Sequence, residues 1–233
     1  HGPAIQQGGY PEGKSHCSLR YGLGRGVTGL PAASSYSGHE WRYASARRVN
    51  DDGVFLSNAA SINRESQRRD GGSDVFEVVG YGAGHDDLIT RGNGIVRVPA
   101  KLYGYYERFW PRKGRWSFYG NQRYAAEGLG GPRRGSWQVD LNPTYFVNDN
   151  LSFYAELYGK HDPDWLLWQH DNLLGTFGAN QLQLNAGMQW TINAKQELRV
   201  KLETIALDAR AKQAWRVAEE GTPVATNAPG SEF

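Results

Sequence analysis

The sequence contains one cysteine, Cys17, which excludes an intrachain disulfide and any cysteine-based zinc cluster. No apolar run approaches the roughly 18–20 residues that a membrane-crossing helix requires. The mean hydropathy of −0.64 is likewise too polar for a helical membrane protein. Charge of one sign is not in excess, with 26 basic and 24 acidic residues and a net charge of +2, so no polyanion-binding bias shows in the sum. The arginine pairs Arg47-Arg48, Arg68-Arg69 and Arg133-Arg134 sit beside turn residues rather than forming a basic face with interleaved aromatics, which argues against a nucleic-acid partner. A GxSxG nucleophile elbow is missing, and so is an HExxH zinc motif. The chain opens His1-Gly2-Pro3 without the basic and apolar regions of a signal peptide, as expected if a leader has been removed or the chain is internal to a longer one.

What is abundant points elsewhere. The 30 glycines, 13 tyrosines, 8 tryptophans and 8 phenylalanines suit a transmembrane barrel, whose strands alternate lipid-facing and lumen-facing residues and carry aromatic girdles. A soluble β-sandwich would share that composition. Residues 1–40 are dominated by glycine, serine and proline and are expected to be irregular. Short strand signals follow at 41–44, 54–62 and 74–80. From Ile95 the period-two alternation sharpens. Val96, Val98, Leu102 and Tyr106 oppose Arg97, Lys101, Tyr103 and Glu107. Trp137, Val139, Leu141 and Tyr145 oppose Gln138, Asp140, Asn142 and Thr144. Leu182, Leu184, Met188 and Trp190 oppose Gln181, Gln183, Asn185 and Gln189, and Leu198, Val200 and Leu202 oppose Glu197, Arg199, Lys201 and Glu203.

The connections read short near Pro111, long near Gly130, short near Asn148, long over 159–180 and short near Asn193. A transmembrane barrel keeps short turns on one side and longer loops on the other. The expected fold is therefore all-β: an antiparallel up-and-down meander, a barrel or barrel fragment of about eight strands over 41–229. The final Gly230-Ser231-Glu232-Phe233 reads as the translation of two adjacent cloning sites and is set aside from fold reasoning.

Several stretches resemble a known family. They are His85-Asp86-Asp87-Leu88-Ile89-Thr90-Arg91-Gly92-Asn93-Gly94, Pro143-Thr144-Tyr145-Phe146-Val147-Asn148-Asp149, Asp164-Trp165-Leu166-Leu167-Trp168, Asn172-Leu173-Leu174-Gly175-Thr176-Phe177, Glu197-Leu198-Arg199-Val200-Lys201 and Leu207-Asp208-Ala209-Arg210. Together they are similar to the C-terminal barrel of large Gram-negative outer-membrane proteins that carry a carbohydrate-binding domain, similar to family 9 modules, ahead of the barrel. The resemblance covers roughly 74–224, and 41–74 more loosely. It implies an outer-membrane location, a link to glycan handling or transport, and further strands on both sides of the region. It carries over no catalytic residues and no cofactor.

Individual residues invite sharper readings. An N-terminal His1, through its α-amino group and ring nitrogen, forms half of a copper brace that a second histidine, from His16, His39, His85, His161 or His170, would complete; an arbitrary chain boundary is the simpler explanation. A glycosidase needs two carboxylates about 5–10 Å apart, and Glu127, Glu156, Asp162 and Asp164 are the candidates, although acids in loops are common. His85 with Asp86 and Asp87 resembles a metal cluster on paper, but adjacent residues point apart, and turn capping is the simpler role. Trp165 and Trp168, expected in the longest loop, could stack on glycan or lipopolysaccharide; membrane-interface anchoring is the plainer use of such residues. The leading expectation is a non-catalytic outer-membrane barrel with lipid and lipopolysaccharide as partners, able to associate with itself through open strand edges. The alternative is a soluble β-sandwich or barrel hydrolase acting on polysaccharide or ester, or a carbohydrate-binding module. In the enzyme case a hydrolase is preferred to a copper monooxygenase.

Overall fold

The computed structural model describes residues 16–28, 30–129 and 134–227. In chain order the strands are β1 (His16–Thr28), β2 (Tyr36–Asn50), β3 (Phe55–Arg68), β4 (Ser73–Tyr81), β5 (Gly84–Asp86), β6 (Val96–Val98) and β7 (Lys101–Lys113). They continue as β8 (Trp116–Glu127), β9 (Arg134–Phe146), β10 (Leu151–His170), β11 (Leu173–Asn193), β12 (Gln196–Val217) and β13 (Pro223–Thr226). Eleven of them form one antiparallel meander, in the order β1-β2-β3-β4-β7-β8-β9-β10-β11-β12-β13. Strands β5 and β6 make a separate two-stranded ribbon. The period-two pattern is the cause: each strand has one apolar and one polar face, and short connections leave antiparallel neighbours as the only economical pairing.

Four expectations need correction. The antiparallel meander is as expected and is open rather than closed into a barrel, but it has eleven strands rather than about eight. Within the supposedly irregular 1–40, His16–Thr28 is strand β1 and Tyr36 begins β2. The glycines that suggested a loop alternate there with Tyr21, Leu23 and Arg25, and strand β2 supplies the full ladder of partners. Pro111 lies within β7, at a register irregularity between Trp110 and Lys113, and the turn itself falls at 114–115. A proline is tolerated there because an irregular ladder does not need its missing N–H.

The fourth correction concerns 159–180, which is not a long loop. Strands β10 and β11 run on and meet at a turn over 171–172. The alternation fails there for two reasons. Bulges between Asp162 and Trp165 and between Thr176 and Phe177 shift the register. In addition, Leu173 through Phe177 are all buried, so the strand is covered on both faces and reads as a continuous apolar run.

The β5–β6 ribbon continues the β4–β7 hairpin in the same register, because Gly84 pairs with Val98 as Tyr81 pairs with Lys101. Only Gly82-Ala83 and Pro99-Ala100 interrupt it. Beyond that break its tip packs against β11 and the end of β12, distant strands of the same sheet. Val96, Leu174 and Val217 form the buried core cluster, with Ile89, Val98, Leu129, Leu166, Trp168 and Trp215 packed around them.

Two glycines permit this. A Cβ at Gly84 would collide with the carbonyl oxygen of Leu56. Gly221, in the turn after β12, has φ +78° and lies under the carbonyl of Ile95, where a Cβ would come within 2.5 Å. The opposite rim carries tight turns. In the β3–β4 turn the Gly72 amide donates to Asp70 Oδ1 (3.1 Å), which holds that carboxyl below its ordinary range, with Arg68 adding to the effect. The carboxylate therefore supports the turn above the ordinary carboxylate pKa, and this support is lost as pH falls through the lowered value. The Gly72 amide resonance, followed through an acid titration, is expected to move with that midpoint and not with the ordinary one.

Candidate functional site

The paired register places Leu102, Trp110, Phe118, Trp137, Leu141, Phe153 and Leu157 on one face of the sheet, together with Leu182, Leu184, Trp190, Leu198, Val200 and Leu202. All are exposed: Trp137 is 53% accessible, Leu202 61% and Leu182 63%. Soluble monomers scatter such residues singly rather than joining them into a continuous apolar surface. The other face carries the polar network. Tyr103 Oη donates to Glu127 (2.6 Å), Tyr119 Oη donates to Glu107 (2.9 Å), and Tyr105 donates to the same carboxylate. Asn185 Nδ2 donates to Glu156 (2.8 Å), and Gln183 Nε2 to Glu203 (3.1 Å). In β12 the same face presents the ion pairs Arg199–Glu197 (2.9 Å) and Lys201–Glu203 (3.2 Å). Relative to a water-soluble sheet, the molecule is inside out through this region.

The apolar surface has borders. On the tight-turn side it is edged by aromatic rings: Trp110, Trp116, Phe118, Tyr145, Phe153 and Trp190, with Trp116 and Tyr145 in contact at 4.8 Å. On the other side Tyr124 and Trp137 meet at 4.8 Å. Beside them, His161, Asn180 and Asp208 form a polar row across β10, β11 and β12. His161 Nδ1–H donates to Asn180 Oδ1 (2.7 Å). From Trp137 to Tyr145 the strand advances roughly 26 Å, or about 20 Å along the normal at a tilt near 40°. That is somewhat short of, but on the scale of, the apolar band of about 25 Å that aromatic girdles flank in transmembrane barrels.

Beyond the polar row, β10, β11 and β12 project a further ~23–30 Å. There the packing reverts to the ordinary kind: Val96 and Leu174 are fully buried and Val217 is 5% accessible. Trp215 Nε1 donates to Thr176 Oγ1 (2.8 Å) within this cap.

The residues singled out from the sequence are dispersed. Trp168 lies on β10 in the cap, its Nε1 donating to the Asp171 carbonyl (2.9 Å) and its ring face covered by the Arg91 guanidinium at 4.9 Å. Trp165 sets its ring edge-on to Phe177 at 6.5 Å with Lys160 at 6.0 Å over it. Both tryptophans are thus strand residues engaged with the protein rather than loop residues. Glu127 and Glu156 accept hydrogen bonds within the polar face, while Asp162 pairs with Lys160 (3.0 Å) and Asp164 lies 3.7 Å from Lys212. His85 Nδ1–H donates to the Phe55 carbonyl (2.9 Å), and Asp86 Oδ1 caps the amides of Leu88 and Ile89 (3.0 Å each). Among the described residues no group of three or more His, Cys, Asp or Glu is placed to hold a metal ion. His1 and residues 230–233 lie outside the described residues.

A sandwich would set a second sheet of comparable size against the first; among the described residues the other sheet is the three-residue ribbon of β5 and β6. Among the described residues no helix is long and apolar enough to cross a membrane, which leaves crossing by strands open. Comparison of the chain with protein-family models, with curated proteins and with solved structures finds no match.

Proposed function

We propose that this chain is wall of an outer-membrane β-barrel from a Gram-negative bacterium, without chemistry of its own, and that its role is passage or display at the cell surface. The observation that carries the reading is the bordered apolar band on a single sheet whose other face is a hydrogen-bonded polar lining. In lipid every backbone group must be satisfied within the protein, and a tilted antiparallel sheet with this alternation is one of only two ways to do it. The tight turns belong on the periplasmic side and the projecting cap of β10–β12 on the outside. The resemblance described above supplies the expectation of a link to glycan handling.

The test uses the native tryptophans. After refolding into phospholipid vesicles, lipids brominated along their acyl chains are expected to quench at least half of the tryptophan emission, because Trp110, Trp116, Trp137 and Trp190 face lipid. The chain should also be monodisperse only in detergent. A compact monomer in plain buffer with unquenched emission beside vesicles would sink the reading.

A further inference from the structure

A charged cluster interrupts the apolar face on β3, β4 and β7. Asp74 stands directly opposite Ser66 on one side and Arg108 on the other, and Arg64 and Arg68 flank Ser66 along β3. All three arginines are therefore direct or diagonal cross-strand neighbours of one carboxylate. By alternation they share the face of Leu102 and Trp110. Arg68 ends β3 and Asp74 is near the start of β4, beside the tight turn that joins them. Trp110 is one of the rings on that border, and Arg108 lies two residues from it, about 5 Å along the normal at a tilt near 40°.

The charges in this cluster do not pair off. Three guanidiniums face two carboxylates, Asp74 and the turn residue Asp70. Asp74, 2% accessible, has Arg68 Nη1 at 3.9 Å and Arg108 Nε at 3.8 Å, contacts too long for hydrogen bonds, and neither of its oxygens accepts one. Asp70 Oδ1 already accepts from the Gly72 amide and lies 3.5 Å from Arg68 Nε. Ser66 Oγ is engaged with His39 Nδ1 (2.9 Å). The Nε atoms of Arg64, Arg68 and Arg108 are all buried without an acceptor among the described residues. Such groups are costly until an acceptor reaches them. Aromatic rings hold the guanidiniums by their faces: Arg64 over Trp41 at 5.7 Å, Arg68 over Tyr36 at 5.0 Å and Arg108 over Trp110 at 4.7 Å. That leaves their N–H edges for an oxyanion, the fork geometry that recognises phosphate.

We propose, on the reading that this is a membrane barrel, that Arg64, Arg68 and Arg108 bind the phosphodiester headgroup of an anionic glycerophospholipid in the leaflet on the tight-turn side. Strands β3 and β7 are two spacings apart, about 10 Å, a gap that arginine side chains close around a single phosphate. The acyl chains then run over Phe76 and Val78 of β4 and Leu102 of β7, on the same face toward the middle of the band. The surplus of one positive charge matches one phosphodiester. A zwitterionic headgroup brings an ammonium that the arginines repel, and free phosphate lacks the chains that the apolar face would hold.

The test titrates the full chain, folded in a neutral detergent, with phosphatidylglycerol or phosphatidylcholine of the same acyl chains, and counts bound lipid by native mass spectrometry. One phosphatidylglycerol is expected to bind at least about fivefold more tightly than phosphatidylcholine. Arg64→Gln with Arg108→Gln should weaken it by about tenfold or more. Asp74→Asn should tighten it, because the competing carboxylate is gone. Equal binding of the two lipids, unchanged binding in the double variant, or weaker binding with Asp74→Asn would each overturn the site. Displacement of the lipid by millimolar inorganic phosphate would overturn it too, by showing an ion site instead. If the double variant does not refold, Asp74→Asn decides, since a purely structural cluster gains no affinity from that change. Failure of the membrane reading is seen separately, as a monodisperse species in buffer without detergent.

Discussion

Leu157→Arg is expected to weaken the folded protein in lipid by about 2–4 kcal/mol, the cost of an arginine near the middle of a lipid-facing strand. Leu157 lies mid-band, between Leu141 of β9 and Leu184 of β11. It is 43% exposed, so in a water-soluble protein the same change would touch little and cost within about 0.5 kcal/mol. The control is Gln183→Arg, on the polar face beside Glu203, where a cation meets a carboxylate. Urea titrations of vesicle-folded protein read both. A large loss at Leu157 with little at Gln183 is the signature of lipid contact; equal small effects would remove it.

Leu174→Ala should be costly for the opposite reason. Leu174 is fully buried in the cap against Val96 and Val217, so the change removes packed methyl groups and leaves a cavity, a loss of roughly 2–5 kcal/mol. The other ties of the hairpin tip are polar ones, from Asn50 to Asp87, from His85 to the Phe55 carbonyl and from the Arg97 amide to Gly221. Trypsin should therefore cut at Arg91 much faster in the variant, while quenching by brominated lipid is unchanged, because the cap lies outside the band. Unaltered protection of Arg91 would mean that the tip is held mainly by Asn50, whose Nδ2 donates to Asp87 (3.1 Å).

The contrast between these two leucines explains what the sequence reveals. Where one face is an exposed apolar surface and the other a polar lining, alternation is strict. The strands around Leu102, Trp137, Leu182 and Leu198 are legible residue by residue, and so is the antiparallel meander. Where strands leave the band, both faces are covered and the alternation disappears. Asp164-Trp165-Leu166-Leu167-Trp168 and Leu173-Leu174 look like a loop flanked by apolar clusters, yet they are the continuing strands. The continuous apolar runs were the available signal, since a strand buried on both faces reads that way. Strand β1 was obscured by glycine at alternate positions. Gly22 and Gly24 pair with Ala44 and Arg42, and only the partner strand discloses the ladder.

The candidate site was legible in the same proportion. The apolar and polar faces follow from counting by twos, but the borders do not. His161, Asn180 and Asp208 are remote in sequence, and register alone assembles them into a row. The tryptophans picked for ligand binding were chosen for a loop location that the bulge at Asp162 removes. Trp168 has its ring covered by Arg91, which a sequence cannot reveal because the covering residue comes from the hairpin tip.

That hairpin tip also sets the order in which the molecule can be assembled. Every ladder of the main sheet joins strands that follow one another along the chain, interrupted only by the ribbon, so each pairing closes a short loop and can form as soon as its two strands exist. The contacts of Val96 with Leu174 and Val217 are different: they close over most of the sheet and gain nothing until β10–β12 are in place. They are therefore expected to form after the rate-limiting step of folding. Loosening them with Val96→Ala should leave the folding rate nearly untouched and appear as faster unfolding.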